Sequence, residues 1–260
     1  MRLVLAALLA LAAPQDKDKI GKDKAPAVAK KALAEAQKKK GVAIAESNQY
    51  AAIQQMVNTL FEGVLKGDVA AVKGTAEIYA KGPQILMNAG GRFDPPDAVS
   101  TPEGIQAQAF RNPALILKEL EQVVPLATFG GDESVDGKAC KVIDFVASPL
   151  LIKQHLKDHA DRLTRALKAA EGTNAGTVLN FAQQLEEKGT VATYRVCVGK
   201  EDLLLYKIEF VLKPKVKTAG LPQNLQSLNV DAKTEVKFSK WDEELPLDVP
   251  GPVKTKLGLK

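Results

Sequence analysis

The stretch TVATYRVCVGKEDLLLYKIEF, residues 190–210, alternates apolar and polar side chains with a period of two. This alternation is typical of half-buried β-strands, and it predicts strands over 190–198 and 203–213. Alternate residues of the second strand form one wholly apolar face: Leu204, Tyr206, Ile208, Phe210 and Leu212. A sheet with one apolar face needs a cover, so we expect helices to pack on it.

Neighbouring strands extend this apolar face. They contribute Ile143, Phe145, Tyr194 and Val196 before it and, from a strand at 233–240, Val236 and Phe238. The face can be plain core, or it can line a cavity for an acyl chain or another apolar ligand. Under the second interpretation, the lipid-binding residues are Ile143, Phe145, Tyr194, Val196, Leu204, Tyr206, Ile208, Phe210, Leu212, Val236 and Phe238.

The remaining elements follow from changes of hydrophobic period. In the first half of the chain we expect a helix at 46–67, strands within 69–82 and 84–93, and a helix at 112–124 capped by Asn112. In the second half we expect strands on either side of Asp136-Gly137, helices at 149–170 and 174–187, the strands at 190–198, 203–213 and 233–240, and an extended tail after 243. The strands follow one another through short turns. This order predicts an α+β fold with an antiparallel sheet.

The two cysteines lie in separate predicted strands. If 140–146 pairs antiparallel with 191–197, the register that places Cys140 opposite Cys197 separates apolar from polar residues on the two faces. In that register Asp144 and Arg195 are diagonal neighbours. We therefore expect a Cys140–Cys197 disulfide, with two buried free thiols as the alternative.

The N-terminus predicts export. Arg2 precedes an apolar run from Leu3 to Ala13, and residues 10–12 match a signal-peptidase site, so residues 1–12 are interpreted as a signal peptide. A membrane anchor is the alternative, but the run is too short to span a bilayer. No cysteine follows that could carry a lipid anchor. The expected location is periplasmic or secreted.

Residues 13–40 carry most of the positive charge. This segment contains nine lysines and four acidic residues, whereas the net charge of 41–260 is close to zero. We interpret 13–40 as a lysine-rich linker with a marginal helix, either solvated or in contact with an anionic membrane surface. The folded domain is expected over 41–260, with a helical insertion at 149–187. Nucleic-acid binding is not expected, because no basic face with interleaved aromatics is present.

His155 and His159 are the only histidines, four residues apart on a predicted helix. That spacing can place both on one metal ion, but no third ligand is indicated, and a position at the edge of the apolar stripe is the simpler interpretation. The sequence has no Walker loop, GxGxxG or nucleophile elbow. We expect a monomeric protein that is not an enzyme and that binds no metal or cofactor.

An ordered series of segments resembles the LolA/LolB-like family of bacterial lipoprotein carriers. The segments are NPALILKELEQVV, GGDESVDGKACKVIDF, YRVCVGKEDLLLYKIEF and TEVKFSKWDEELPLDVP, within a resemblance that covers about 46–253. The resemblance implies a curved antiparallel half-barrel whose mouth is covered by helices and which holds lipid or lipoprotein acyl chains. The insertion at 149–187 and the lysine-rich segment depart from it. An envelope interaction or regulatory module with a filled core is the alternative.

Overall fold

A single open antiparallel sheet organises the chain. The computed structural model describes residues 20, 23–52, 55–99, 101–171, 181–217 and 230–260. Its eleven strands are ordered β6-β5-β4-β3-β2-β1-β11-β10-β9-β8-β7, and every pairing is antiparallel. The α+β class and the antiparallel sheet predicted from the sequence are confirmed. Within the described residues, no helix is both long and apolar enough to span a membrane. The predicted signal peptide, 1–12, lies outside the described residues.

The strands and helices have the following bounds. The strands are β1 (Val42–Ala52), β2 (Gln55–Lys66), β3 (Val69–Gly74), β4 (Ile78–Lys81), β5 (Gln84–Ala89), β6 (Arg92–Asp94), β7 (Thr128–Val135), β8 (Lys138–Val146), β9 (Leu185–Gly199), β10 (Leu205–Val216) and β11 (Ala232–Ser239). The helices are α1 (Ala25–Lys38), α2 (Pro102–Ala107), α3 (Pro113–Val123), α4 (Pro149–Glu171), α5 (Phe181–Gln184) and α6 (Gly251–Leu257).

The main core lies between one face of the sheet, here called the inner face, and the helices. Apolar residues of α1, α2, α3 and the start of α4 join those of β1 to β5 and β8 to β11 in one buried cluster. The opposite, outer face carries two smaller clusters. One lies beneath α6, and the other contains both cysteines.

The helix predicted at 46–67 is wrong, because β1 and β2 form a long hairpin there. Glu46 and Asn48 occupy buried, inward positions of β1. These polar residues hide the two-residue period, while apolar residues of β2 happen to recur at helical spacing. Pairing of β1 with both β2 and β11 outweighs that local pattern.

Residues 25–38 do not form part of a solvated linker. They fold into α1, whose inner side is buried in the main core: Ala25, Val28, Ala29, Ala32, Leu33 and Ala36. The small alanine side chains allow close approach to the sheet. Tertiary packing stabilises a helix that would be marginal in isolation.

The helix capped by Asn112 is confirmed, since the Asn112 side chain accepts a hydrogen bond from the Ala114 backbone N–H at 3.1 Å. The hairpin turn at Asp136-Gly137 is also confirmed. Both residues have positive φ, 48° and 80°, as a tight type I′ turn requires. The long helix predicted at 149–170 matches α4.

Two predicted segments differ from the structure in the second half. Of the helix expected at 174–187, residues 174–180 lie outside the described part, 181–184 are helical as α5, and β9 already begins at Leu185. The tail after 243 is not extended throughout, because it contains α6. Val253 and Leu257 of α6 pack against Tyr79 and Leu86 on the outer face.

The predicted pairing of 140–146 with 191–197 is confirmed, but its register is wrong by two residues. Cys140 lies opposite Gly199, and Cys197 lies opposite Val142. Both cysteines are free, so the predicted disulfide is wrong. A shift of two residues leaves every side chain on the same face, so apolar patterning cannot distinguish the two registers. Asp144 lies directly opposite Arg195 rather than diagonal to it, and the two form an ion pair at 3.0 Å.

A β-bulge moves two of the predicted inner residues to the outer face. The register between β10 and β9 shifts between Leu205 and Lys207, which leaves Tyr206 as the extra residue. Leu204 and Tyr206 therefore join the outer cluster with the cysteines, whereas Leu205 joins the main core.

Candidate ligand-binding site

The inner face holds nine of the eleven residues proposed from the sequence to bind lipid. These nine are buried in the main core: Ile143, Phe145, Tyr194, Val196, Ile208, Phe210, Leu212, Val236 and Phe238. Helices α1, α3 and α4 supply the opposing apolar side chains. Most of the face is thus packed, and a ligand site must be sought where the packing is incomplete.

An amphipathic cavity of about 370 Å³ lies between β10, the segment before α3, α3 itself and α4. Phe210 and Leu212 form part of its apolar lining, and they are the two proposed lipid-binding residues that reach it. Its polar lining includes Arg111, Arg162 and Arg165. We call it the arginine cavity and treat it as the candidate site.

A buried chain of hydrogen bonds forms one wall of the arginine cavity. Tyr194 donates its hydroxyl hydrogen to Glu119 Oε2 at 2.9 Å, so the His155 Nε2–H must donate to the Tyr194 oxygen at 2.7 Å. Arg111 Nη2 donates to both Glu119 oxygens at 2.9 and 2.8 Å. Burial, with help from the nearby Arg111, lowers the pKa of His155 to about 3, so its imidazole is neutral.

Phe210 is clamped between two of these groups. The Arg111 guanidinium lies 4.7 Å from the centre of the Phe210 ring, in cation–π geometry. The His155 ring lies 4.6 Å from the same ring. The ring is therefore held in place, and polar and apolar surfaces meet at a defined position in the cavity wall.

Further buried polar groups lie on the inner face of the sheet. Glu46 Oε1 accepts hydrogen bonds from Asn48 Nδ2 at 2.7 Å and from the Arg111 backbone N–H at 2.9 Å. Asn48 Oδ1 accepts from the Thr234 hydroxyl at 2.6 Å. Burial raises the pKa of Glu46 to about 7, although the hydrogen bonds from Asn48 and Arg111 and the charge of Arg111 oppose the shift.

Several polar atoms at and near the cavity are buried without a hydrogen-bond partner in the described part of the chain. On the donor side they are Arg111 Nη1, Arg162 Nε and Arg165 Nε. Glu46 Oε2 and Gln108 Oε1 are the corresponding acceptors. Buried polar atoms are normally satisfied in folded proteins, so this concentration marks a place where other molecules, water or ligand, make the missing bonds.

A second cavity, of about 420 Å³, adjoins the first. It lies between β5, the turn at 95–97 and α6, and it shares Pro83, Ile85, Gln108 and Arg165 with the arginine cavity. Arg165 therefore stands at the boundary between the two spaces.

A third cavity, of about 250 Å³, lies between α1 and α3. Its lining is mainly apolar: Ala36, Val42, Leu65, Ala114, Leu117 and Trp241. Lys39 and Lys118 also line it. None of the eleven proposed residues reaches this cavity.

The two histidines do not converge on a common point. His159 Nε2 donates to the Val230 carbonyl at 2.6 Å, whereas His155 Nε2 bonds Tyr194. In the part of the chain that the structure describes, no group of three or more His, Cys, Asp and Glu side chains is placed to hold a metal ion. The interpretation of this pair as two ligands of one metal has no support in this geometry.

Sequence reasoning missed Glu46, Arg111, Glu119 and Arg162. Glu46 lay within the incorrectly predicted helix, and nothing in the local sequence distinguishes Arg111 and Glu119 from other charged residues. A signal was available on α4, where His155, His159 and Arg162 follow one another at steps of four and three residues. That spacing places them on one side of the helix.

Comparison with known proteins finds similarity among solved structures, at low sequence identity. A scan against protein families found no match, and a search among curated proteins found none. Among solved structures, the chain is similar to the lipoprotein LppX of Mycobacterium tuberculosis, with 9% identity, TM-score 0.43, and coverage of 86% of this chain and 97% of that one.

Two further structures show the same kind of likeness. LprF of Mycobacterium bovis shares 11% identity at TM-score 0.39, covering 88% and 97% of the two chains. A LolA superfamily protein of Nitrosomonas europaea shares 10% identity at TM-score 0.28, covering 89% and 97%. At these identities and TM-scores, the three likenesses carry no argument about the family or role of this chain.

Proposed function

We propose that this protein is an exported, non-enzymatic binder of lipid or of lipoprotein acyl chains, acting as a carrier in the cell envelope. The observation that carries the proposal is the arginine cavity, where Phe210 and Leu212 of the apolar inner face line an open space beside polar groups. A cavity with an apolar lining and a few placed polar groups is typical of small-molecule sites. The predicted signal peptide at 1–12 supports export to the periplasm or the exterior.

Contact with an anionic membrane surface belongs to the same proposal. Lys24, Lys30, Lys31 and Lys38 lie on or beside the exposed side of α1, while the opposite side is buried. Basic residues close to an anionic bilayer attract it electrostatically, and this attraction would favour transient docking during ligand transfer.

A cavity-filling variant tests the site. Leu115 of α3 is half-buried and lines the arginine cavity, so Leu115→Trp should fill part of the space. We expect it to weaken binding of a fluorescent fatty-acid analogue by about tenfold, equivalent to about 1.4 kcal/mol. The matched control is Leu126→Trp, because Leu126 is 56% exposed and lies outside the cavity.

Native mass spectrometry of the full chain, purified from its own envelope, complements this titration. Co-purifying lipid that exchanges with added amphiphile would support the proposal. Absence of any bound or exchangeable lipid, together with unchanged probe binding by Leu115→Trp, would refute it.

A second candidate function is an envelope interaction module with a filled core. It is favoured by the nine inner-face residues that already pack against helices. This function predicts a stable protein partner in a pull-down and no uptake of lipid by the purified protein. Lipid uptake at the arginine cavity would decide against it.

A further inference from the structure

Three guanidinium groups surround the arginine cavity. Arg111 comes from the segment before α3, and Arg162 and Arg165 lie three residues apart on α4. Each has one nitrogen that is buried without an acceptor among the described residues: Arg111 Nη1, Arg162 Nε and Arg165 Nε. The arginine cavity is therefore lined by a cluster of three arginines, each with a buried nitrogen donor that lacks an acceptor.

The described residues supply one close ion pair to these three groups. It joins Arg111 Nη2 to Glu119 at 2.8 Å, and Tyr194 also donates to that carboxylate. Asp158 and Asp161 line the cavity too, but both residues are exposed, and Gln154 donates to Asp158 at 2.8 Å. Neither aspartate lies within 4.0 Å of a guanidinium nitrogen in the described part of the chain.

Keeping buried cations without acceptors is unfavourable unless another group satisfies them. Burial, and then the neighbouring Arg111, lowers the pKa of Arg162 to about 10, so this side chain still carries its charge at neutral pH. The planar guanidinium group matches the two oxygens of a carboxylate or phosphate in a bidentate arrangement. An oxyanion would satisfy several of these donors at once.

We propose that the arginine cavity binds the oxyanion head group, carboxylate or phosphate, of an amphiphile whose chain begins against Phe210 and Leu212. Arg162 and Arg165 hold the head, and Arg111, which already contacts both Glu119 and the Phe210 ring, supplies the remaining donor. This inference rests on the proposed function and adds the chemical class of the ligand's head group.

The adjoining cavity gives a route for the head group. Arg165 lines both spaces, and Lys256 of α6 lines the second. Basic side chains therefore extend from Lys256 in the second cavity, through Arg165, to the arginine cavity.

Isothermal titration calorimetry on the full chain tests the inference with four probes: decanoate, decyl phosphate, decanol and inorganic phosphate. We expect each of the two charged amphiphiles to bind at least about tenfold more tightly than decanol. A tenfold ratio of affinities is the effect expected of one charge-assisted hydrogen bond. Arg162→Gln should remove most of this preference for the charged amphiphiles over decanol. Arg165→Gln provides a second variant if Arg162→Gln does not fold, as judged by its thermal melt.

The control is Arg92→Gln, which removes an exposed arginine far from α4 in the sequence and outside the lining of the arginine cavity. It should leave all four affinities unchanged. Equal binding of decanol and decanoate, or charged-amphiphile binding that neither arginine variant weakens, would overturn the head-group inference while the proposed function stands. Inorganic phosphate binding as tightly as decyl phosphate would overturn the amphiphile as ligand. Failure of every amphiphile to bind would overturn the proposed function itself.

Discussion

At the scale of single residues, the two cysteines show how burial controls reactivity. Cys140 and Cys197 are both completely buried on the outer face, in contact with Val142 and Tyr206. Burial raises the pKa of the Cys140 thiol to about 11 and that of Cys197 to about 12. The thiolate is the reactive form, so both side chains should be inert in the folded protein.

We predict that iodoacetamide at pH 8 alkylates native Cys140 about a hundredfold and native Cys197 about a thousandfold more slowly than the same thiols in urea, the factors that correspond to two and three pKa units. Mass spectrometry over time gives both rates, and intact mass measured before and after reduction is the control. An increase of two hydrogens on reduction would reveal a disulfide and contradict the free thiols seen in the structure.

At the scale of elements, α1 shows tertiary packing acting on a weak local signal. Its sequence is rich in alanine and lysine and has few large apolar residues, so its helical period alone indicated a marginal helix. Ala32 is completely buried against the main core, whereas Ala34, two residues later, is exposed. The alanines that make the pattern faint are the residues that let the helix approach the sheet.

This contrast gives a matched pair of substitutions. Ala32→Glu should lower the free energy of unfolding by about 3–5 kcal/mol, because it buries an uncompensated charge. Ala34→Glu places the same side chain on the exposed side and should change stability by less than about 0.5 kcal/mol. Urea denaturation measures both. Similar effects of the two substitutions would show that α1 is not packed as described.

The β1–β2 hairpin is the largest element that sequence patterning missed. The inward positions of β1 include the buried polar residues Glu46 and Asn48 among apolar ones, so neither a helix nor a strand is plainly indicated. The pairing of β2 with β3 also requires a glycine at Gly63, because an added Cβ would lie 2.0 Å from the Ala71 carbonyl oxygen of β3. Such close backbone approach is a requirement of strand pairing that hydrophobic patterning does not reveal.

At the scale of the whole molecule, buried ionisable groups determine how stability depends on pH. The folded-state pKa of Glu46, about 7, lies above its ordinary value of 4.5, so the folded protein binds a proton that the unfolded chain has released. Stability from this group is present below pH 4.5 and is lost as pH rises through 7. His155 and His159 act in the opposite sense. Burial lowers the pKa of each from 6.5 to about 3, and stability is lost as pH falls below 6.5.

Glu46→Gln isolates the first of these effects, because the histidines are unchanged and cancel in the comparison. We compare the free energy of unfolding of the variant with that of the parent protein at each pH. This difference should be about 3 kcal/mol more favourable to the variant at pH 8 than at pH 4.5, since one pKa unit corresponds to about 1.4 kcal/mol. Urea unfolding at the two pH values gives the difference. Glu62→Gln, at an exposed position of β2, is the control and should show none. A pH-independent difference for Glu46→Gln would contradict a buried, neutral carboxyl.

The sequence by itself determined the antiparallel α+β class, the strands β7 to β11 except for the first residues of β9, α3 with its Asn112 cap and most of α4. In these segments strong periodicity and local capping coincide with what the tertiary structure requires. The sequence also identified nine inner-face residues, because alternation assigns a side chain to one face of a strand without knowledge of the partner strand.

Only the tertiary structure decided the register of β8 on β9, the bulge at Tyr206, the β1–β2 hairpin and the polar groups of the arginine cavity. Registers that differ by two residues leave the faces identical, so the choice between Gly199 and Cys197 as the partner of Cys140 depends on the neighbouring strands and turns. The arginine cavity joins Arg111, Glu119 and Arg162 from three separate segments, and Glu46 of β1 lies beside it, bonded to the Arg111 backbone N–H. Each is an ordinary charged residue in its local context, and burial beside the others, which the folded chain alone establishes, gives them a shared chemistry.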